Sequence, residues 1–302
     1  MSARIFIDGQ AGTTGLGITE RLEKTGGFIL LTLPESRRKD PEARAEAMSA
    51  ADITVLCLPD DAAREAVALA PPGARILDAS TAHRVAEGWV YGFAEMAPGQ
   101  AELITAARLV ANPGCYATGA IALLRPLTAL GLMEAKSPVS INAVSGYTGG
   151  GKAMIAAHEA QGGPAFELYA LGLRHKHLPE ITRYARLARP PLFVPSVGHF
   201  PQGMLVCVPL FLDTLSRASS PARLVEAYAD YYAGAKAVRV QRDIWTANLD
   251  PQELNGTDML EIFICANEAA GQVLLIARLD NLGKGASGAA VQNIELMLRR
   301  EA

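Results

Sequence analysis

Of the four cysteines in the chain, Cys115 has the setting of a nucleophile. It follows the loop signature Ala111-Asn112-Pro113-Gly114 and precedes the helical run Tyr116 to Leu124, so it is expected at a helix N-terminus. The helix dipole there favours thiolate over thiol, the form that attacks an acyl carbon. Cys57, Cys207 and Cys265 fall inside apolar strand runs and read as small buried hydrophobes. Their spacing fits neither a zinc site nor a disulfide framework, and no metal is expected.

Thiol chemistry needs a proton carrier that titrates near neutrality, and five histidines compete for the role. His175 and His177 flank Lys176 and precede the helix start Leu178-Pro179-Glu180, which places them on a loop or at a helix N-terminus. In an extended segment both would point the same way, one as acid/base and the other on substrate. His177 is preferred for the proton and His175 is its substitute. His199, in Val197-Gly198-His199-Phe200-Pro201, reads as a hydrogen-bonded structural histidine, and His83 and His158 read as surface positions.

A second constellation has glycine at every third position: Gly9-Gln10-Ala11-Gly12-Thr13-Thr14-Gly15 lies between an apolar strand and an apolar-faced helix. Glycines allow close backbone approach to a pyrophosphate, and the helix start offers the N–H groups of residues such as Thr13 and Thr14. After the second strand comes Glu35-Ser36-Arg37-Arg38-Lys39. A hydroxyl followed by cations suits a 2′-phosphate and favours NADP, with Ser36 and Arg37 as the expected contacts, while Glu35 keeps NAD open. Arg84 follows the strand end Asp78-Ala79-Ser80, where a guanidinium can hold a substrate phosphate or carboxylate. Gly149-Gly150-Gly151-Lys152 has the composition of an anion nest at a helix start.

The elements that must carry these groups change rhythm along the chain. As far as residue 112, short apolar runs alternate with helical stretches, which predicts βαβ units and a parallel sheet. From Val139 onward the strands are longer and β-branched or aromatic (Val139 to Val144, Met204 to Phe211, Leu260 to Ala266, Val273 to Leu279), which predicts an α+β lobe with an antiparallel or mixed sheet. Ala286 to Arg300 has helical apolar spacing and can pack back on the first lobe. A chain of 302 residues that is 50% apolar accommodates two such lobes. A net charge of -3 without a dense basic block gives no footprint for nucleic acid or an acidic membrane. The N-terminus lacks a secretory signal and no apolar run reaches membrane-spanning length, so a cytoplasmic protein is expected.

Together with the glycine triad, Asn112-Pro113-Gly114-Cys115-Tyr116 resembles the N-acetyl-gamma-glutamyl-phosphate reductases, in their compact branch. Agreement continues through Ser80-Thr81-Ala82-His83-Arg84, Tyr91-Gly92, Ser145 to Lys152, His175 to Ile181 and Asn281 to Gly288. Two departures are Gln10-Ala11, where Ala-Ser is usual, and Lys152, where arginine is common. The resemblance implies a Rossmann-type NADP-binding domain over residues 1–112, completed by a C-terminal helix over 285–302. It implies an α+β catalytic and oligomerisation domain of the semialdehyde dehydrogenase type over 113–284, in a homodimer or homotetramer. The implied reaction is reduction of an acyl phosphate through a Cys115 thioester, releasing inorganic phosphate, as in arginine biosynthesis. Gly149, Asn281, Lys284 and Gly285 join Gly9, Gly12, Thr13, Thr14 and Gly15 on the cofactor, while Ser80, Arg84, Asn112, Ser145 and Glu180 face substrate. Aspartate-semialdehyde dehydrogenase shares this fold and chemistry and is the alternative; a non-catalytic NADP-binding regulator is a third reading, and it has no use for a low-pKa thiol.

Overall fold

Ile5, Phe6 and Ile7 are apolar on both sides of one strand, the pattern of a parallel strand covered by helices on both faces. In the structure, a computed structural model that describes residues 2–215 and 220–299, all three are buried. The chain divides into two units, one running to Pro113 and resuming at Ala286, the other Gly114–Gly285.

The first unit runs β1 (Ala3–Asp8), α1 (Thr13–Thr25), β2 (Phe28–Leu31), α2 (Pro41–Ala50), β3 (Ile53–Leu56), α3 (Asp60–Leu69), β4 (Ile76–Asp78), β5 (Val90–Tyr91), α4 (Gln100–Ala106) and β6 (Leu109–Ala111). Its six strands form a parallel sheet in the order β2-β1-β3-β4-β6-β5, so the order reverses beside β1. Open α/β sheets bind ligands outside the carboxyl ends of strands at such a switch point.

The second unit runs α5 (Cys115–Ala129), β7 (Ser140–Gly146), α6 (Gly151–Gln161), β8 (Phe166–Leu168), α7 (Leu178–Tyr184), β9 (Leu192–Gly198), β10 (Met204–Phe211), α8 (Pro221–Tyr231), β11 (Val238–Val240), β12 (Leu260–Asn267) and β13 (Gln272–Leu279). A mixed sheet orders β11-β12-β13-β10-β7-β9-β8. The chain then returns to the first unit with α9 (Gly288–Leu298). Residues 300–302 of the expected C-terminal helix lie outside the described residues. Ile294 and Met297 of α9 join Ile5, Ile7, Ile18 and Leu22 in one apolar cluster, while Phe6, Met48, Leu56 and Ile76 form a second. Short strands β5, β8 and β11, and β9 with its internal Pro195, carry little alternation and escape the sequence reading.

Helix α5 is buried from Tyr116 through Leu127. Gly119 lets it approach β10, since a Cβ there would lie 2.7 Å from a Val206 methyl. Pro126 sits in its last turn and has no N–H for the Ala122 carbonyl four residues back. Tyr232 fills that gap by donating its hydroxyl to Ala122 O at 2.8 Å, and Tyr228 donates to Leu123 O beside it. Replacing Tyr232 with phenylalanine leaves a buried carbonyl unmatched and should cost about 1–3 kcal/mol. Urea unfolding checks this as a lower midpoint at unchanged slope; an unchanged midpoint would mean that water serves the carbonyl equally well.

Candidate active site

In the first unit the turn after β1 is built by glycines that have no room for a side chain. Gly9 has φ +87°, and a Cβ on it would lie 2.3 Å from the Cys57 carbonyl. At Gly15 it would lie 2.7 Å from the Gly9 carbonyl, so the third glycine seats α1 on the turn. Gly12 is the extended N-cap of α1 and carries no capping side chain, which leaves the first-turn N–H groups of Thr13 and Thr14 for an anion. A cavity of about 200 Å³ opens beside this turn, lined by Asp8, Gly9, Gln10, Leu33, Arg38 and Lys39 among others. This backbone cradle beside two cations fits a dinucleotide with a phosphorylated ribose. Ser36 and Arg37 do not line the cavity. The Arg37 guanidinium turns to Asp40, at 3.1 Å, and towards Glu46, at 3.9 Å. Beneath the cradle, Arg44 donates to Asp8 Oδ2 from Nε and Nη2, at 2.9 and 2.7 Å.

The same unit holds Ser80, His83, Arg84 and Asn112, each tied into scaffold. The buried Asp78 carboxylate accepts from the Ser80 N–H and hydroxyl, at 2.9 and 2.7 Å, and pairs with His83 Nδ1 at 2.6 Å. His83 also stacks on Trp89. It is therefore buried rather than the surface residue expected, because its partner lies at the end of β4. Arg84 is buried too and donates from Nε to the Asn112 carbonyl at 3.0 Å. Asn112 donates to Ala286 O and accepts from Asn293 Nδ2, both at 3.0 Å, which joins the end of β6 to α9. Sequence reasoning missed Asn293; its one signal is a polar residue on the apolar stripe of a helix.

In the second unit Cys115 is the first residue of α5, and Gly114 is its extended N-cap. The Gly114 N–H donates to Glu180 Oε2 at 3.1 Å, and Glu180 Oε1 lies 3.9 Å from His177 Nε2. Both Glu180 and His177 are buried. The segment holding the two histidines is a turn and not extended: His177 has helical φ/ψ as the N-cap of α7, and its N–H donates to His175 Nδ1 at 3.1 Å. Nδ1 of His175 is therefore the acceptor and Nε2 carries the proton, directed at the Tyr169 hydroxyl 3.3 Å away. Tyr169 is hydrogen-bonded to Tyr116, whose own hydroxyl donates to Ser196 O at 2.8 Å. Burial raises the pKa of both phenols, and negative charge on Cys115 raises it further. The sequence offers no signal for Tyr169, an isolated aromatic in a loop.

Ser145, at the end of β7, bonds to Tyr116, and a Cβ on Gly149 would lie 3.0 Å from the Ser145 Oγ and 3.7 Å from Asn281 Nδ2. Asn281 accepts from the Gly203 N–H at 2.8 Å and donates to Thr148 Oγ1 at 2.9 Å. Lys284 is buried, and Gly285 packs directly on Cys115. His158, expected at the surface, is buried, stacked on Tyr147 and 2.9 Å from His199 through their Nδ1 atoms. Among the described residues no three side chains gather as metal ligands, and no helix is long and apolar enough to cross a membrane.

The model of the semialdehyde dehydrogenase NAD-binding domain matches residues 5–104, and that of the semialdehyde dehydrogenase dimerisation domain matches residues 115–281. The chain is 53% identical to an N-acetyl-gamma-glutamyl-phosphate reductase of Brucella anthropi and 52% identical to one of Chelativorans sp., with 99% of each chain covered in both cases. It shares its fold with aspartate semialdehyde dehydrogenase II from Vibrio cholerae (TM-score 0.73, 16% identity, all of both chains). An aspartate semialdehyde dehydrogenase with NADP from Candida albicans is also similar (TM-score 0.65, 13% identity, 98% of each chain).

The remaining cysteines are held as thiols. Burial, with help from Asp78 and Asp8, pushes Cys57 up to about 12; burial and Cys265 push Cys207 up to about 11; burial also raises Cys265. Iodoacetamide at pH 7.5 should therefore alkylate Cys115 ahead of the other three, as read by peptide mass mapping. Faster loss of any of the others would remove the distinction.

Proposed function

The chain belongs to the semialdehyde dehydrogenase family, in its N-acetyl-gamma-glutamyl-phosphate reductase branch, and from that membership we propose that it reduces N-acetyl-gamma-glutamyl phosphate to the semialdehyde with NADPH. The observation that carries the chemistry is Cys115 on the first turn of α5, with the preceding N–H held by a carboxylate that also faces His177. The helix N-terminus stabilises the thiolate. Its Sγ attacks the acyl carbon, the bond from that carbon to the phosphate oxygen breaks, and the departing phosphate takes a proton from His177. When bound, NADPH supplies the hydride that converts the acyl thioester to a thiohemiacetal oxyanion. The oxyanion collapses, the carbon–sulfur bond breaks, and aldehyde leaves with Cys115 restored as thiolate; His177 regains its proton from solvent.

The roles divide between the two histidines. His175 holds its tautomer between the His177 N–H and Tyr169, which suits positioning and substrate contact, whereas His177 beside Glu180 suits proton transfer. We assign the first unit to the cofactor and the second to catalysis and oligomerisation. Gly9, Gly12, Thr13, Thr14 and Gly15 would hold the diphosphate, and Gly149, Asn281 and Lys284 are assigned to the cofactor from the family resemblance. Ser145 and Glu180 of the second unit are assigned to the substrate, and so, from the family resemblance, are Ser80, Arg84 and Asn112 of the first. Phe166, Leu168, Leu171 and Leu173, exposed on and after edge strand β8, supply apolar surface for a second copy. A biosynthetic role in the cytoplasm is consistent with this reading.

The reaction is tested in reverse, oxidising N-acetylglutamate semialdehyde or aspartate semialdehyde with NADP and phosphate. The acetylated substrate lacks an ammonium, so its site needs no carboxylate partner for one. Its kcat/KM should exceed that for aspartate semialdehyde, and the opposite ranking would assign the chain to aspartyl phosphate. In the same assay Cys115→Ser should be inactive and His177→Asn slower by about a hundredfold or more. Native rates in both would remove the thioester mechanism.

Cofactor preference follows from the cavity beside Gly9. Exchanging Arg38 and Lys39 together for alanine should raise the Kd for NADPH tenfold or more, at about 1–1.5 kcal/mol per lost phosphate contact, with little change for NADH. Arg37→Ala should do less, because that guanidinium is engaged by Asp40. Fluorescence titration of the two cofactors decides, and a larger loss from Arg37→Ala would return the contact to that residue.

A further inference from the structure

After β13 the chain makes a five-residue π-turn, Gly283–Ser287. Such wide turns recur at functional sites because they admit one residue more than an α-turn. This turn is anchored by Asp280, which is fully buried. Its carboxylate accepts from the Leu282 N–H at 2.8 Å, the Gly256 N–H at 2.9 Å and Gln202 Nε2 at 2.5 Å. Its backbone carbonyl accepts from the Gly285 N–H at 2.9 Å. Gly285 is thereby pressed against Cys115: a Cβ built on it would lie 2.9 Å from Cys115 Cβ, 3.3 Å from Cys115 Cα and 3.1 Å from Asp280 O. Carbon atoms in contact sit about 3.5–4.0 Å apart. Gly285 is not among the positive-φ glycines, so the close approach, and not its backbone conformation, demands glycine.

We propose that Gly285 is a positioning residue, whose bare backbone forms the wall that sets the place of the Cys115 thiol at the start of α5. The neighbouring atoms are the root of the nucleophile's side chain and a hydrogen-bonded carbonyl. Neither can swing away as the tip of a flexible side chain can. A methyl group at 285 therefore moves Cys115, and a displacement near 1 Å is enough to cost catalysis about a hundredfold. The inference rests on Cys115 as the nucleophile and differs from a cofactor contact at Gly285, which the family resemblance alone implies.

Three measurements on Gly285→Ala test it. The turnover kcat should fall between about tenfold and a hundredfold with KM little changed, and the pH profile of iodoacetamide alkylation at Cys115 should shift. The Kd for NADP should stay within about twofold of native, since a positioning effect does not act through cofactor binding. In urea unfolding, Gly285→Ala should destabilise less in a Cys115→Gly background, which has no Cβ to meet, than in the native background. That cycle still reports if the single variant is poorly folded. Native alkylation and kcat in Gly285→Ala, a raised Kd for NADP with native alkylation, or strict additivity in the cycle would each overturn the proposal. An active Cys115→Ser variant would instead overturn the nucleophile assignment on which it rests.

Discussion

The Glu180 carboxylate, buried with one oxygen on the Gly114 N–H and the other towards His177, is the contact on which the chemistry proposed for the second unit depends. Taking a carboxylate out of water is costly unless donors replace its hydration. Here one donor is a backbone N–H at the cap of α5, sixty-six residues away in the chain. The loop before Cys115 is thus pinned to the start of α7, where the same carboxylate lies 3.9 Å from His177 Nε2. Helix α5 can serve as a fixed mount because it is buried along most of its length. At its far end two tyrosine hydroxyls close the carbonyls around Pro126.

What the sequence makes legible is what local chemistry determines. Glycine spacing, a loop-to-helix cysteine and the switch from short to long apolar runs each have their cause within a few residues, and the parallel sheet and the longer strands of the mixed sheet follow from them. Polar residues with distant partners are opaque. His83 looks like a surface histidine until Asp78 and Trp89 close on it, and His158 until His199, forty-one residues on, meets its ring. Tyr169 announces nothing in the sequence and Asn293 shows only as a polar residue on an apolar stripe, because their hydrogen bonds exist only once the strands and helices are assembled.

Arg37 marks a different limit. A run of three cations after β2 signals an anion, but the turn rather than the composition decides which of them faces the cavity. Asp40 caps α2 by accepting from the Glu42 and Ala43 N–H groups and is held in place by doing so. From there its other oxygen engages Arg37, leaving Arg38 and Lys39 on the cavity wall. A helix cap thus selects which charge faces the cavity, through a contact worth little at an exposed site but sufficient to aim a side chain.

Around Cys115 several local preferences are broken together. The cap of α5 is a glycine with no side chain to offer, a lysine and a glutamate are buried, and a π-turn precedes α9. Each alone would weigh against stability. Each also removes bulk or adds charge at one place. A bare cap sets no side chain over the first turn, a bare residue at 285 lets the chain close behind the thiol, and the carboxylate lies beside the histidine. Local rules are broken most around the proposed nucleophile, which needs a helix N-terminus without a covering side chain and a rigid wall, and the long apolar runs elsewhere supply the stability that tolerates it.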